Sequence, residues 1–550
     1  MLGHHSVRQS MSRKGNCFDN AMIESFFGTS NAEYFRVATL DGIAQLEAGV
    51  HDYICYYNNE RIKGSRPPAW NVHQRRLPGT LNEKETKTMK RRCFVAAAAE
   101  LLLGACTTLP APPATQSDVA SAPERWIATW AAPAVARVDQ PAQTLSAAAL
   151  AYPWARDVPA AVVAAGLGSQ PLLVGGMSPL HFKDQTLRQI ARVSVGGTRV
   201  RVVLSNSLGT APLRIGAAQV ALRDTEAGIV AGSNRTLTFS GLAQPVVPAG
   251  ALMVSDPVDL AVKDFGDLAI DLHLPDDTTT WKSPVTVHPA SWQVNYVSTP
   301  GNHVGATRFP VMATTAYRRG DGLASASSFF LARIEVVAPA STGVLVAFGD
   351  SITDGTQSGL DANRRWPDLL SARLHAVGIR LSVVNGGIGG GRVLEDGVGP
   401  NALARFDRDV LAQPGVTHVT VLEGVNDIGV GGAKPSPTVA ELIAGHRQLI
   451  DRARAHGLRV YGGTILPYEG AAYWTPEGEA KRQAVNDWIR SSGAYDAVLD
   501  FDRLVRDVAR PTRMQAGFDS GDHLHPAPAG YRVMADSIDL NLFRAGVLAR

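Results

Sequence analysis

The sequence predicts a multidomain protein that ends in a three-layer α/β domain with a parallel sheet. An all-β sandwich or jelly-roll domain precedes it, and a short α-rich segment stands at the N-terminus. Three observations lead there. A chain of 550 residues exceeds what one hydrophobic core serves. From about Trp126 to Ala340, short runs alternate apolar and polar residues between Gly, Pro and Asp, the pattern of half-buried strands. From Gly343 onward, strand-like runs alternate with amphipathic helical ones, which implies parallel strands covered on both faces.

Within residues 126–340, Ile190–Val195, the pair Gly196-Gly197 and Arg199–Leu204 read as a β-hairpin. Further strand-like runs span Leu213–Leu222, Asp267–Leu274, Trp292–Ser298 and Phe329–Val337. No catalytic set is legible there, so a structural cap, a cleft-completing role and carbohydrate binding all stay open. Residues 341–550 give strands at Val344–Phe348, Arg380–Val384, His418–Leu422, Arg459–Ile465 and Ala497–Phe501. The helices are Arg365–Ala376, Ala402–Leu411, Thr438–Ala455, Pro476–Ser491 and a last one from Ala529. Ligands of such sheets bind at the carboxyl ends of the strands.

The chemistry-bearing residues fall at those ends. Gly349-Asp350-Ser351-Ile352 follows the first strand, Asn385–Gly391 the second, and Gly424-Val425-Asn426-Asp427 the third, with Asp522 and His525 near the C-terminus. A serine hydroxyl needs an imidazole to take its proton and a carboxylate to fix the tautomer of that imidazole, roles open to Ser351, His525 and Asp522. Ester hydrolysis passes through an oxyanion, for which the amides of Ser351 and Gly390 and the side chain of Asn426 are candidate donors. The glycine-rich loop also allows Gly389 in place of Gly390. Trp366, Pro467, Tyr468, Tyr473 and Trp474 sit near the same edge and are candidates for a substrate pocket, with core or lid packing as the alternative. Two rival chemistries compete: a metal site at Asp522, His523 and His525, and a phosphate cradle at the glycine loop. The first lacks a further ligand cluster, and the second has neither a Walker lysine nor an acidic ribose partner.

The four blocks, in this order, resemble those of the SGNH or GDSL hydrolases over about the last 210 residues. The resemblance implies a flavodoxin-like fold, a catalytic Ser351, Asp522 and His525, an oxyanion hole of Ser351, Gly390 and Asn426, and no cofactor or metal.

The N-terminal residues are of another kind. Residues 1–75 contain Ser10–Phe27 and Tyr53–Arg61, which resemble the C-terminal end of the integrase core of insertion-sequence transposases, with Glu24 as the last of three metal-binding carboxylates. The other two are missing from this sequence, and Asn31 stands near where the family often has lysine, so DNA integration and functional nucleic-acid binding are expected to be absent. After a junction at 76–88, residues 89–106 read as an export signal: Met89, a basic triplet, a short apolar run and Leu103-Gly104-Ala105-Cys106. That ending resembles the lipobox of bacterial lipoproteins, with Cys106 as the lipidated residue, although Glu100 interrupts the apolar run. The Pro- and Ala-rich residues 107–125 read as a flexible tether.

All four cysteines, Cys17, Cys55, Cys93 and Cys106, precede the tether, so no disulfide framework is available to the rest. A formal charge of +3 argues against a chain dominated by nucleic-acid binding. The expectation is an exported serine esterase acting on small-molecule or polysaccharide esters, with short-chain acyl groups and acetylated carbohydrates both allowed. It would be lipid-anchored to the cell envelope if translated from Met89 and cytoplasmic if made from Met1. The competing classes are a DNA-integration protein through residues 1–75 and a non-catalytic carbohydrate-binding surface lipoprotein.

Overall fold

The computed structural model describes residues 123–137, 181–281, 283–318, 324–429 and 436–544. These belong to one compact unit. The integrase-like segment with Glu24, the signal and Cys106 lie outside the described residues.

The described residues between 124 and 339 form antiparallel sheets. One has the order Glu124–Ala131, Leu331–Pro339, Gly197–Ser205, Val258–Val262, with Leu252–Val254 also on Gly197–Ser205. Another runs Val311–Thr314, Tyr296–Pro300, Gln185–Arg192, Asp267–Leu274, Ala217–Leu222, Arg235–Thr236. Ile127, Val202, Leu204 and Ile334 of the first share a core with Leu187, Leu268, Ile270 and Leu272 of the second. A small third sheet pairs Val285–His288 with Val135–Arg137 and Ser328–Phe329.

The expected hairpin is not formed. Gln185–Arg192 and Gly197–Ser205 lie in different sheets, and the chain between them turns a corner. At that corner Val193 N donates to Gly266 O, Ser194 N to Thr129 O and Gly196 N to the Asp264 carboxylate. Alternation with a Gly-Gly turn fits a hairpin and a sheet-to-sheet corner equally. Burial decides for the corner, because seven of the eight residues of Gln185–Arg192 are buried, on both faces. The run at Leu213–Leu222 divides into two strands, and Phe330, at φ 55°, interrupts the one at 329–337. The strand expected from Trp292 starts only at Tyr296, since Trp292 turns at φ 52°.

The C-terminal part is a five-stranded, wholly parallel sheet. Its strands are β1 (Gly343–Gly349), β2 (Leu381–Gly387), β3 (Val416–Leu422), β4 (Arg459–Gly463) and β5 (Ala497–Leu499), in the order β2-β1-β3-β4-β5. The helices are α1 (Ser351–Asp354), α2 (Trp366–Ala376), α3 (Ala402–Phe406), α4 (Val425–Gly429), α5 (Val439–Ala455), α6 (Pro476–Ser491), α7 (Phe501–Val505) and α8 (Pro528–Ser537). The two-residue period of β1 makes the three layers. Val344, Val346 and Phe348 pack with Phe406, Leu449 and Ile489 of α3, α5 and α6. Leu345 and Ala347 pack with Leu370, Phe501 and Tyr531 of α2, α7 and α8. Thr438 and Glu441 close a capping box that starts α5, and Thr475 with Pro476 starts α6. The helix expected over Ala402–Leu411 is regular only to Phe406 and continues as a wider π-type turn, in which Asp409 is drawn onto Arg405 and Arg408.

The edge of β2 is covered by the β-rich part. Ser382 Oγ donates to Ala128 O at 2.7 Å, and Val383 N donates to Ser194 Oγ at 3.1 Å. This removes an open sheet edge.

Candidate active site

The site forms where β1, β2 and β3 end. Asp350 starts α1 by accepting the Ile352 amide at 2.9 Å, which makes Ser351 the first helical residue and leaves its N–H without an intrahelical acceptor. Position 349 must be glycine, because a Cβ there would lie 2.3 Å from Thr353 Oγ1 and 2.6 Å from Leu422 O.

Ser351 Oγ lies 2.8 Å from His525 Nε2, and His525 Nδ1 lies 2.6 Å from Asp522 Oδ2. The second oxygen of Asp522 accepts the amides of Leu524 at 2.9 Å and His525 at 2.8 Å. Burial alone would push its pKa up, but the His525 imidazole and these amides outweigh burial and hold the carboxyl well below the usual range. An ionised Asp522 fixes the proton of a neutral His525 on Nδ1, so Nε2 is free to accept from Ser351.

The glycine loop resolves into distinct amides. Gly389 N donates to Asp354 Oδ2 at 3.1 Å, and Gly391 N to Ile388 O at 2.9 Å. Gly390, at φ 72°, has an amide with no acceptor among the described residues. Asn426 is 1% exposed; its Nδ2 donates to Gly391 O at 2.9 Å and its Oδ1 accepts from Tyr473 Oη at 3.1 Å. One of its two amide hydrogens remains uncommitted. Asp427, the next residue, accepts from the amides of Val393 and Leu394 and so holds the chain beyond the loop.

The expected pocket aromatics are placed differently. Trp366 is fully buried, 5.7 Å from the ring of Phe501, and is core rather than pocket; as the first residue of α2 it fills the space between that helix and α7. Tyr468 is buried and tilted against Tyr473, while Trp474 is half-buried against the same core. Tyr473 is the one that reaches the motif residues. The rival chemistries find no geometry. His523 pairs with Asp519 and His525 with Asp522, so the imidazoles do not converge, and no group of three His, Cys, Asp or Glu among the described residues is placed to hold a metal ion. The loop amide of Gly389 faces a carboxylate, which repels a phosphate.

Beneath the loop lies a charged cluster with no sequence signature. Arg405 is fully buried and donates to Gly386 O at 2.7 Å, Gly349 O at 2.9 Å and Glu423 Oε1 at 3.0 Å, its guanidinium 3.9 Å from the Phe348 ring centroid. It ties together the ends of β2, β1 and β3. Burial raises the pKa of Asp350 to about 7 and that of Asp427 to about 6.

These shifts set a pH dependence. The folded-state pKa of Asp350 lies above the unfolded value, about 3.9, so the native state holds that proton more tightly. The resulting stabilisation is present at low pH and is lost as pH rises from about 4 through about 7. Asp350→Asn keeps the helix-capping oxygen and removes the titration. The variant should be more stable than the wild type at pH 8, and its urea midpoint should fall less between pH 4 and 8; the parts due to Asp427 and Glu423, whose pKa values burial also raises, remain. An equally steep fall in the variant would contradict this.

Residues 347–533 match the sequence profile of the GDSL-like lipase/acylhydrolase family, and residues 24–73 that of the integrase core domain. Among curated proteins the chain is similar to one named for the transposase InsK of insertion sequence element IS150 of Escherichia coli, 50% identical over 62 residues, or 11% of this chain and 22% of that protein. The chain thus spans about a fifth of the length of that relative. Among solved structures it is similar to a GDSL-like lipase from Bacteroides thetaiotaomicron (19% identity, TM-score 0.29, 37% of this chain and 88% of that one). It is also similar to an aryl esterase from M. smegmatis (16% identity, TM-score 0.31, 37% and 100%). By these profile matches the chain carries a GDSL-like lipase/acylhydrolase segment at residues 347–533 and an integrase-core segment at residues 24–73.

Proposed function

We propose that the C-terminal domain hydrolyses carboxylic esters, short-chain acyl or acetylated carbohydrate, through an acyl-enzyme on Ser351. The observation that carries this reading is the continuous hydrogen-bonded chain from Ser351 through His525 to Asp522, at 2.8 and 2.6 Å. His525 Nε2 takes the Ser351 proton as Oγ attacks the ester carbonyl. The oxyanion accepts from the Ser351 and Gly390 amides and from Asn426 Nδ2. Collapse breaks the ester C–O bond, and His525 returns the proton to the departing alcohol. Water, activated by the same imidazole, then releases the acid.

The test is turnover of p-nitrophenyl acetate together with stoichiometric labelling by an organophosphonate mapped to Ser351. Neither turnover nor labelling in the folded protein would sink the reading. Asn426→Ala should lower kcat about 100-fold with little change in KM. Tyr473→Phe, which removes the hydroxyl that donates to Asn426 Oδ1, should lower kcat by a smaller factor in the same sense. A loss confined to KM in either variant would contradict the oxyanion role.

The β-rich part reads as a sandwich that caps the domain edge. We also propose that the chain is exported and lipid-anchored at Cys106, supported by the signal-like run before it. An N-terminal peptide beginning at Met1 in membrane-free protein would refute that.

A further inference from the structure

We infer that His288, which lies outside the hydrolase segment, is a positioning residue for the oxyanion hole: through Asp354 it fixes which glycine-loop amide is left to receive the oxyanion. The inference rests on the ester-hydrolase reading above.

His288 ends the strand Val285–His288 and is buried. Its Nδ1 lies 2.9 Å from Pro133 O, and its Nε2 lies 3.1 Å from Asp354 Oδ1. Both neighbours are acceptors, so the ring makes both bonds only with a proton on each nitrogen. Burial alone would lower its pKa, but the Asp354 carboxylate outweighs burial and raises it above the ordinary imidazole value. His288 thus bridges the boundary between the β-rich part and the α/β domain, bonded through both ring nitrogens.

Asp354 is the last residue of α1, three after Ser351, and is 1% exposed. A buried carboxylate needs partners on both oxygens. One oxygen takes His288 and the other takes the Gly389 amide at 3.1 Å. The chain is tight at this point, since a Cβ on Gly387 would lie 2.3 Å from Asp354 N. With Gly389 committed to Asp354 and Gly391 to Ile388 O, Gly390 is the amide left over. Without His288, Asp354 loses the donor bonded to Oδ1, with Arg365 left as a nearby charge, and the force that holds the Gly389 peptide in its present orientation weakens. The segment after α1 is strapped to the same face. Asp361 N donates to Trp292 O at 2.9 Å, Val294 N donates to Asp361 Oδ1 at 2.7 Å, and Gln293 Nε2 reaches the same oxygen. The β-rich part therefore holds the nucleophile turn and the oxyanion loop in register with each other.

Two substitutions separate positioning from mere packing. The carboxamide of glutamine reaches about as far as Nε2 and keeps a donor for Asp354, whereas that of asparagine reaches about as far as Nδ1 and keeps only the Pro133 contact. The full chain is assayed with p-nitrophenyl acetate, with active sites titrated by an organophosphonate so that only folded molecules count. Expected for His288→Asn is a kcat per titrated site lowered about 10- to 100-fold with KM within about twofold, and a parallel loss of affinity for a trifluoromethyl ketone that mimics the oxyanion. His288→Gln should stay within about threefold of the wild type on both measures. Asp354→Glu, which displaces the carboxylate by one methylene, should repeat the loss in kcat and serves if His288→Asn gives too few titratable sites. Equal behaviour of the Asn and Gln variants per titrated site, or a loss carried by KM alone, would overturn the inference while leaving the ester-hydrolase reading intact. A wild type that neither turns over nor labels would overturn both.

Discussion

Ser351→Ala should lower turnover of p-nitrophenyl acetate by about 10⁴- to 10⁶-fold, the loss expected when the nucleophile of a Ser-His-Asp unit is removed and only oxyanion donors and binding remain. The fold should hardly register the change. Ser351 is 7% exposed and its side chain bonds His525, while the helix start depends on Asp350 and on backbone groups that alanine retains. A thermal midpoint close to that of the wild type, measured on the same preparation, is therefore part of the expected result. His525→Ala should cost nearly as much, and the double variant no more than either single, because the two act as one unit. Additive losses would mean that serine and histidine work separately. Undiminished turnover by folded Ser351→Ala would remove the nucleophile assignment.

Arg405→Met should destabilise the fold by about 3–5 kcal/mol, read from urea unfolding at pH 7. Methionine retains most of the apolar stem against Phe348 but leaves Glu423 buried without its cation and takes one donor from each of the strand-end carbonyls Gly349 O and Gly386 O, the first of which keeps the Ile388 amide. Burial and the nearby Asp350 already push the Glu423 pKa up, and removing the guanidinium pushes it further. Much of the loss thus belongs to the stranded carboxyl rather than to the pair itself. Arg405→Met combined with Glu423→Gln should accordingly recover a substantial part. A single variant within about 1 kcal/mol of the wild type would show that water or a shifted side chain replaces the tie.

The sequence made the C-terminal layers legible because parallel strands buried on both faces read as apolar runs and the helices carry caps such as Thr438 with Glu441. Ser351, Asn426, Asp522 and His525 were legible because their motifs are local, four residues or fewer each. Arg405 was not, since Ala-Leu-Ala-Arg-Phe has the look of an ordinary amphipathic turn and its partners come from three strands. His288 and Tyr473 were hidden for the same reason, each acting on a residue distant in the chain. Trp366 shows the converse error: proximity to a motif in sequence suggested a pocket, whereas its size made it core. The false hairpin at 190–204 arose because alternation reports which face is buried and says nothing of which strand lies alongside.

The strand Glu124–Ala131 pairs with Leu331–Pro339, about 200 residues further along. At synthesis rates of roughly 5–20 residues per second, the N-terminal strand waits on the order of 10–40 s before its partner exists. During that interval Trp126, Ile127 and Trp130 lie on a strand whose partner is not yet made. Nascent chains of this protein should therefore depend on a holding chaperone for longer than their size alone suggests, and the first stable intermediate to emerge should include residue 339.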